Sequence, residues 1–247
     1  MLDQSFSAHN FCTIYNIENR KGHIELDDMP TDFRECVANI KQNKTKIQEI
    51  KDIAEEKRTD DEVMELEKAQ AELERLHEAK ESILDQYLHN LSSTIRQRHF
   101  KITLSKYIKD GKEIFCLDSS SHAMFFAAKQ LQYNIHKTFK VKQSNRNSIL
   151  NCIKSLLETR RPISIIRTDI TSFYESIDQK ILLNRIEDNT LLSPKSRAFI
   201  KAILNQYNNL KDASTSAADK GIPRGVGISA YLSELYLKDL DTIIKET

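Results

Sequence analysis

The most restrictive feature of this sequence is a long segment without helix breakers. Residues 33–95 contain neither glycine nor proline, the two residues that disfavour a helix interior most strongly. The polar run EEKRTDDE at residues 55–62 offers Thr59 or Asp60 as a helix N-cap. Apolar side chains recur at three- to four-residue and heptad spacing and form one stripe, made up of Val63, Leu66, Leu73, Leu76, Ile83, Tyr87 and Leu91. We therefore predict two long antiparallel helices.

The heptad pattern of these helices is imperfect, because Lys80 falls on the apolar seam. A helical hairpin that packs within its own chain is one interpretation, and a coiled coil with another copy or a partner protein is the alternative. Residues 1–32 show no sustained period, and we expect an irregular lead-in there. Residues 1–95 are thus predicted to form a helical N-terminal extension.

Charge divides the chain, although the net charge is only +1. Residues 1–95 have 12 Lys and Arg against 21 Asp and Glu, a net of −9, whereas residues 96–161 have 14 against 4, a net of +10. Residues 162–247 balance at 11 of each. A dense basic block gains affinity for a polyanion by releasing counterions from its phosphates. Residues 96–161 therefore favour a nucleic-acid partner, and a solvated basic surface is the alternative.

The sequence indicates a cytoplasmic protein without a membrane segment. No apolar run approaches the roughly 20 residues that a bilayer helix requires, and the start MLDQSFSAHN lacks the basic and apolar regions of a signal peptide. The cysteines are spread widely and form no CxxC pair, so neither a zinc site nor a disulfide framework is indicated; they are Cys12, Cys36, Cys116 and Cys152.

From Phe100 the pattern changes. Residues 100–117, FKITLSKYIKDGKEIFCL, are typical of a β-hairpin with Gly111 in its turn. The run ISIIRTDI at 163–170 predicts a buried strand. Amphipathic helices are predicted at 119–139, 148–159, 178–188, 193–210 and 230–246. These elements together predict an α+β fold.

Two segments carry possible chemistry. Asp169 ends the predicted strand, where a buried carboxylate requires a cation, and it could hold Mg²⁺ together with the carbonyl of Ile170. A single aspartate at a strand end is also a common turn or cap residue. Three of the five glycines, Gly221, Gly225 and Gly227, fall in the loop KGIPRGVGIS. Glycines allow close approach of the backbone to a ligand, which suits a flat base or a phosphate.

Both segments resemble one family. RTDITSFYESID resembles motif A of the reverse transcriptases, D-I-x-x-F-[FY]-x-x-I-D, and KGIPRGVGISAYLSELYLKDLD is similar to their motif B, G-[IL]-P-x-G-x-x-x-S-x-x-L-x-x-[IL]-Y-[LM]. The resemblance covers residues 96–247 and is strongest to bacterial defence-associated and abortive-infection reverse transcriptases. It implies a right-hand polymerase with basic fingers at 96–161 and a partial palm at 162–247.

The resemblance also implies an activity, RNA-directed or untemplated DNA polymerisation in antiviral defence. Its partners would be RNA or DNA and dNTPs, with two Mg²⁺ ions as cofactors. Asp169 would bind both metals and the Ile170 carbonyl one of them. Tyr174 would close against the sugar 2′ carbon, with Phe173 packed beneath it. The triphosphate would meet Lys106, Lys109 or Lys112, and the base pair and template would meet Gly221, Pro223, Arg224, Gly225 and Ser229.

This sequence departs from the family pattern in two respects. Arg224 stands where most members have glutamine, which leaves an untemplated or protein-primed mode open. No Tyr-x-Asp-Asp of motif C occurs, so we expect this chain to be the N-terminal part of a longer protein and inactive by itself. We also expect an exposed apolar face on the last helix, at Tyr231, Leu232, Leu235, Tyr236 and Leu240. The alternatives are a non-catalytic oligomerising scaffold and a nucleic-acid-binding module.

Overall fold

The computed structural model describes residues 2–117, 121–142, 145–159, 161, 169–212 and 219–240. The chain divides into two compact units, one of Phe6–Gln97 and one of Met1–Ser5 with Arg98–Thr247. We call them the N-terminal unit and the second unit. The described residues are mainly helical with a small antiparallel sheet, so the predicted α+β class is confirmed. Across these same ranges, no helix is both long enough and apolar enough to span a membrane.

The N-terminal unit consists of three helices, α1 (Ala8–Arg20), α2 (Thr31–Lys51) and α3 (Asp60–Arg96), with short 3-10 turns at Leu26–Asp28 and Glu55–Lys57. The Cys36 thiol donates to the Leu76 carbonyl at 3.2 Å, and Asn43 Nδ2 donates to the Ala69 carbonyl at 2.9 Å. Since the partner number falls as the α2 number rises, the two helices are antiparallel. The predicted helical hairpin is confirmed.

Side chains in the connection fix both adjoining helix ends. Thr59 is the N-cap of α3: its hydroxyl accepts from the Glu62 amide, and its own amide donates to Glu62 Oε2 at 2.8 Å, which completes a capping box. Arg58 Nε donates to the carbonyls of Ile50 and Ile53 at 3.2 and 3.0 Å. A helix end leaves its last carbonyls without backbone partners, and Arg58 supplies donors to this region of the chain.

The prediction of an irregular lead-in over residues 1–32 is wrong, because α1 forms there. Ser7 caps this helix by accepting from the Asn10 amide. Its buried face includes Phe11, which has no exposed surface, and Tyr15, which contacts the Phe33 ring edge-on at 6.4 Å between centroids. The apolar pattern lasts only 13 residues, and the turn-forming residues that follow it obscured the period.

The second unit begins with the predicted β-hairpin, β1 (Leu104–Lys109) and β2 (Lys112–Leu117). The strands pair from Leu104 opposite Leu117 to Lys109 opposite Lys112. The two turn residues, Asp110 and Gly111, both have positive φ, at 52° and 72°, as a two-residue type I′ turn requires. The hairpin prediction is confirmed.

The helices of the second unit follow. They are α4 (His122–Phe139), α5 (Arg146–Glu158), α6 (Phe173–Ser176), α7 (Gln179–Asp188), α8 (Pro194–Leu210) and α9 (Gly227–Leu237). The five predicted helices correspond to all of these except the short α6, and α9 begins three residues earlier than predicted. Most of the predicted strand at 163–170 lies outside the described residues, which resume at Asp169.

The expectation of an exposed apolar face on α9 is wrong for its central leucines. Leu232 and Leu235 are 0% and 2% exposed, because α9 packs against α4 and α7. Arg185 of α7 donates to the Leu235 carbonyl at 2.9 Å. Leu240, beyond the end of α9, is 41% exposed.

A buried polar network joins the first residues of the chain to this unit. Asn134, on α4, is fully buried and donates through Nδ2 to the Gln4 carbonyl and to Ser196 Oγ, both at 3.0 Å. Gln130 donates to Asn134 Oδ1 at 2.8 Å. Because buried polar groups require partners, these bonds fix Gln4 between α4 and the start of α8.

Candidate functional site

The two motif-like segments, about 50 residues apart in sequence, lie side by side in the structure. The Ile222 amide donates to the Tyr174 carbonyl at 2.9 Å, and the Gly221 amide donates to the Ile177 carbonyl at 2.7 Å. The Gln179 amide donates to the Asp219 carbonyl at 3.1 Å. Backbone hydrogen bonds therefore align residues 174–179 with residues 219–222.

A side-chain network strengthens this alignment. Gln179 is only 3% exposed and donates to the Gly221 carbonyl at 2.7 Å. Gln179 and Asn208 of α8 also exchange two amide hydrogen bonds, each at 2.9 Å. These hydrogen bonds satisfy the buried Gln179 amide and tie the loop to α8.

The β-hairpin joins the same structure through its second strand. The Phe115 amide donates to the Arg224 carbonyl at 2.7 Å. Phe115 also contacts Tyr207 of α8 edge-on, with the ring centroids 5.0 Å apart. Three segments that the sequence singled out separately, the hairpin, residues 169–178 and the glycine-rich loop, therefore meet at one place.

The glycines of the loop permit this convergence. A Cβ at Gly221 would lie 2.6 Å from the Tyr207 hydroxyl, and one at Gly225 would lie 2.6 Å from the Phe115 carbonyl oxygen. Both residues have positive φ, at 84° and 94°, which disfavours any side chain there. The Cβ positions of these glycines are thus filled by the protein itself, rather than left open for a ligand as their sequence suggested.

A cleft of about 500 Å³ opens where the three segments meet. It contains four residues that the sequence predicted as functional, namely Lys112, Asp169, Ile170 and Arg224. The other residues of its lining are Gly111, Glu113, Phe115, Thr171, Ser172, Glu175, Tyr207 and Ile222. The cleft therefore combines a potential metal ligand with two cations.

Arg224 is held over the cleft by residues of α6. Its Nη2 donates to Glu175 Oε1 at 2.8 Å, and its guanidinium carbon lies 6.0 Å from the centroid of the Tyr174 ring. This distance is within the range of a cation–π contact. The Phe173 and Tyr174 rings are 5.9 Å apart at their centroids and edge-on. Neither aromatic residue belongs to the described lining of the cleft.

The three predicted triphosphate lysines have different environments. Lys106 Nζ is paired with Glu113 Oε1 at 3.0 Å and with Asp212 Oδ1 at 2.9 Å. The hydrogen bond to Asp212, followed by that to Glu113, raises the pKa of Lys106. Lys109 is exposed and lies directly across the hairpin from Lys112. Of the three, Lys112 is the one that lines the cleft.

Two predicted template-contacting residues are used by the loop itself. Ser229 is 1% exposed, and its hydroxyl donates to the Pro223 carbonyl at 2.6 Å. This bond closes the connection between the loop and the first turn of α9. Pro223 is also buried, so Arg224 is the residue of this group that presents its side chain to the cleft.

The magnesium site expected from the resemblance is incomplete in the described ranges. No group of three or more His, Cys, Asp or Glu side chains able to hold a metal occurs in these ranges. Asp169 is exposed at the cleft, but the other two carboxylates of the lining, Glu113 and Glu175, are paired with cations. Mg²⁺ requires near-octahedral oxygen coordination. Asp169 and the Ile170 carbonyl do not provide enough ligands for two ions.

Sequence reasoning did not predict the other eight residues of the lining, and Glu113, Glu175 and Tyr207 are the ones with ionisable or hydroxyl groups whose position depends most on packing. Glu175 is one of the two unspecified positions between Tyr174 and Ile177 in the motif A-like segment, and Tyr207 belongs to the amphipathic pattern of α8. Neither has a local signal for this location, because each reaches the cleft through the packing of distant segments.

No protein-family model, curated protein or solved structure matches this chain.

Proposed function

We propose that this chain is the fingers and partial palm of a reverse transcriptase-like DNA polymerase that acts in bacterial antiphage defence. One observation carries the proposal: the motif A-like segment, the motif B-like loop and the lysine-bearing hairpin meet at one cleft. A polymerase must hold the triphosphate, sugar and base of a nucleotide simultaneously, since positioning supplies much of the rate of phosphoryl transfer.

The dimensions and polarity of the cleft support a nucleotide as its ligand. Its volume of about 500 Å³ is within the range of roughly 300–1,000 Å³ that small-molecule sites occupy. Lys112 provides an ammonium group next to the turn of the hairpin, which suits a triphosphate. Apolar surface from Ile170 and Ile222 lies in the same lining, where a base or sugar would be desolvated.

Individual residues have distinct proposed roles. Lys112 binds the triphosphate, and Lys109, exposed at the hairpin tip, attracts the polyanionic ligand. Tyr174 contacts Arg224 outside the lining of the cleft, and its role at the sugar rests on the resemblance alone. Arg224 contacts the nascent base pair or the template strand. RNA or DNA lies along the basic residues of 96–161, whose charge favours phosphate binding.

Magnesium belongs to this proposal as the expected cofactor. When bound, two Mg²⁺ ions stabilise the charge on the attacking and leaving oxygens. Asp169 is the residue of the cleft that would contribute a ligand. Because the described residues do not complete such a site, catalysis in this proposal requires further carboxylates from outside them.

The proposal is tested by replacing Asp169 with asparagine in the product of the entire gene. We expect incorporation of dNTPs to fall on the order of a hundredfold or more, because the substitution removes a charge aimed at the reacting groups. The measurement is incorporation of labelled dNTPs with Mg²⁺ present. Asp188→Asn is the matched control, since Asp188 is exposed at the end of α7 and outside the lining of the cleft.

Two results would contradict the proposal. Incorporation by Asp169→Asn at the wild-type rate would remove Asp169 from the active site. Nucleic-acid binding without any incorporation by the unmodified product of the entire gene would favour a binding module or a scaffold instead.

A further inference from the structure

We propose that Glu175 is a displaceable counterion for Arg224, which releases the guanidinium when a phosphate group enters the cleft. The inference rests on the proposed function and adds a regulatory device to that site. Its ligand is a phosphate oxygen, carried either by a free nucleotide or by the backbone of a nucleic acid. Glu175 is thereby a positioning residue that sets the affinity of the cleft for anions.

The backbone of Arg224 is fixed, so that only its side chain has freedom to change partner. Its carbonyl accepts from the Phe115 amide at 2.7 Å. The following residue, Gly225, has no space for a Cβ against Ile114 and Phe115. Ile222, two residues earlier, donates to the Tyr174 carbonyl. Exchange of the guanidinium between partners therefore requires side-chain rotation and no rearrangement of the loop.

The ion pair is only half formed. An arginine and a carboxylate can make two parallel hydrogen bonds, but here one bond joins Arg224 Nη2 to Glu175 Oε1. The remaining atoms of such a fork, Arg224 Nε and Glu175 Oε2, are buried and have no hydrogen-bond partner in the described part of the chain. A buried donor or acceptor without a partner has lost its hydration without compensation. This geometry therefore does not fully satisfy either partner.

Solvent and ligands reach the pair from the cleft. The side chains of Arg224 and Glu175 are 34% and 20% exposed, respectively, and both residues belong to the lining. A phosphate offers the guanidinium the same paired oxygens as a carboxylate. An entering phosphate can thus compete with Glu175 for the same donors.

The charges of the cleft explain why such an exchange would matter. Its lining has three carboxylates, those of Glu113, Asp169 and Glu175, and two cations, those of Lys112 and Arg224. Glu113 is itself neutralised by Lys106. While Glu175 neutralises Arg224, an entering anion therefore meets the repulsion of Asp169 with only Lys112 of the lining to offset it. Removal of the Glu175 charge should therefore strengthen anion binding. If the ion pair served only to hold the two segments together, its removal would not raise the affinity for anions.

The test is calorimetric titration of the 247-residue chain with tripolyphosphate in metal-free buffer. We expect Glu175→Gln to bind tripolyphosphate about tenfold more tightly than wild type. This is the effect on affinity expected from the removal of one opposing charge at a partly exposed site. Arg224→Gln should bind more weakly than wild type. In the double variant the gain from Glu175→Gln should disappear, because Glu175 acts through Arg224.

Glu187→Gln is the matched control. Glu187 is paired with Lys201 outside the lining of the cleft, so that its substitution removes the same charge and also breaks an ion pair. We expect less than a twofold change. Parallel titrations with a short oligothymidylate identify the source of the phosphate. The probe whose affinity rises in Glu175→Gln is the one that contacts Arg224.

A measurement on the unmodified chain does not depend on whether the variants fold correctly. The Nε–H NMR signal of Arg224, assigned through its absence in Arg224→Lys, should shift when tripolyphosphate is added. An unchanged signal, or unchanged affinity of Glu175→Gln for both probes, would overturn the inference. A persistent gain in the double variant would also overturn it. These readouts involve no polymerisation, and they are therefore independent of the incorporation test for Asp169.

Discussion

The connection between α2 and α3 in the N-terminal unit and the cleft in the second unit depend on contacts of different sequence range. In the N-terminal unit the connection between α2 and α3 is fixed by neighbouring residues, such as Thr59 with Glu62 and Arg58 with Ile53. In the second unit the cleft depends on residues far apart in sequence, such as Phe115 with Arg224. Local signals are therefore sufficient to identify the helical hairpin, whereas the cleft exists only when distant segments have packed.

Glycine also has different roles in the two units. Gly22, after α1, has a φ of +71° and no atom within 4 Å of a Cβ built on it. Gly225 has a similar φ of +94°, but its Cβ would be 2.6 Å from Ile114 Cγ2 and from the Phe115 carbonyl oxygen. One glycine only allows a turn, and the other allows both a turn and close contact with a strand.

The largest expected effect is the destabilisation caused by Gly225→Ala. A left-handed alanine costs about 1–2 kcal/mol, and overpacking adds about 1–3 kcal/mol, so that the free energy of unfolding should fall by about 2–5 kcal/mol. Urea denaturation measures the change. The control, Gly22→Ala, should cost only about 1 kcal/mol because it lacks the steric contribution. Equal losses at the two sites would show that the contact of the loop with β2 contributes little.

A smaller effect is expected at the capping box of α3. Thr59→Ala removes the acceptor for the Glu62 amide and should lower the free energy of unfolding by about 1 kcal/mol. Thr45→Ala is the control, since the Thr45 hydroxyl is exposed inside α2 and donates only to the Lys41 carbonyl one turn earlier. If both variants unfold at the same urea concentration, the capping box does not stabilise the hairpin.

The smallest expected effect is a pH dependence in the second unit. The hydrogen bond that Lys106 Nζ donates to its carboxylate at 2.9 Å lowers the pKa of Asp212 from its ordinary value of 3.8. A lowered carboxyl pKa in the folded state stabilises the protein above the unfolded-state pKa, and the stabilisation is lost as the pH falls through the folded-state pKa. Asp212→Asn should therefore be less stable than wild type at pH 7, and the difference should shrink towards pH 3. A difference that grows on acidification would refute this sign.

Particular residues show where sequence reasoning succeeded and where it failed. The Asp110-Gly111 turn and the Thr59 cap were predictable, because each depends on the conformation or hydrogen bonding of adjacent residues. The role of Lys80 was not. It falls on the apolar seam of α3, and its Nζ lies 5.7 Å from the centroid of the Phe33 ring, so its position reflects an aromatic residue on another helix.

The sequence by itself determined the helices after residue 30 except the short α6, the hairpin and its turn, the charge division of the chain, and the segments that contain Asp169 and Arg224. These features depend on periodicity, capping and turn chemistry within a few residues. Only the tertiary structure decided that Arg224 pairs with Glu175 and Lys106 with Asp212, and that protein atoms fill the space beside Gly221 and Gly225. Such choices depend on which distant side chains packing brings within a few ångströms, and no local pattern encodes that distance.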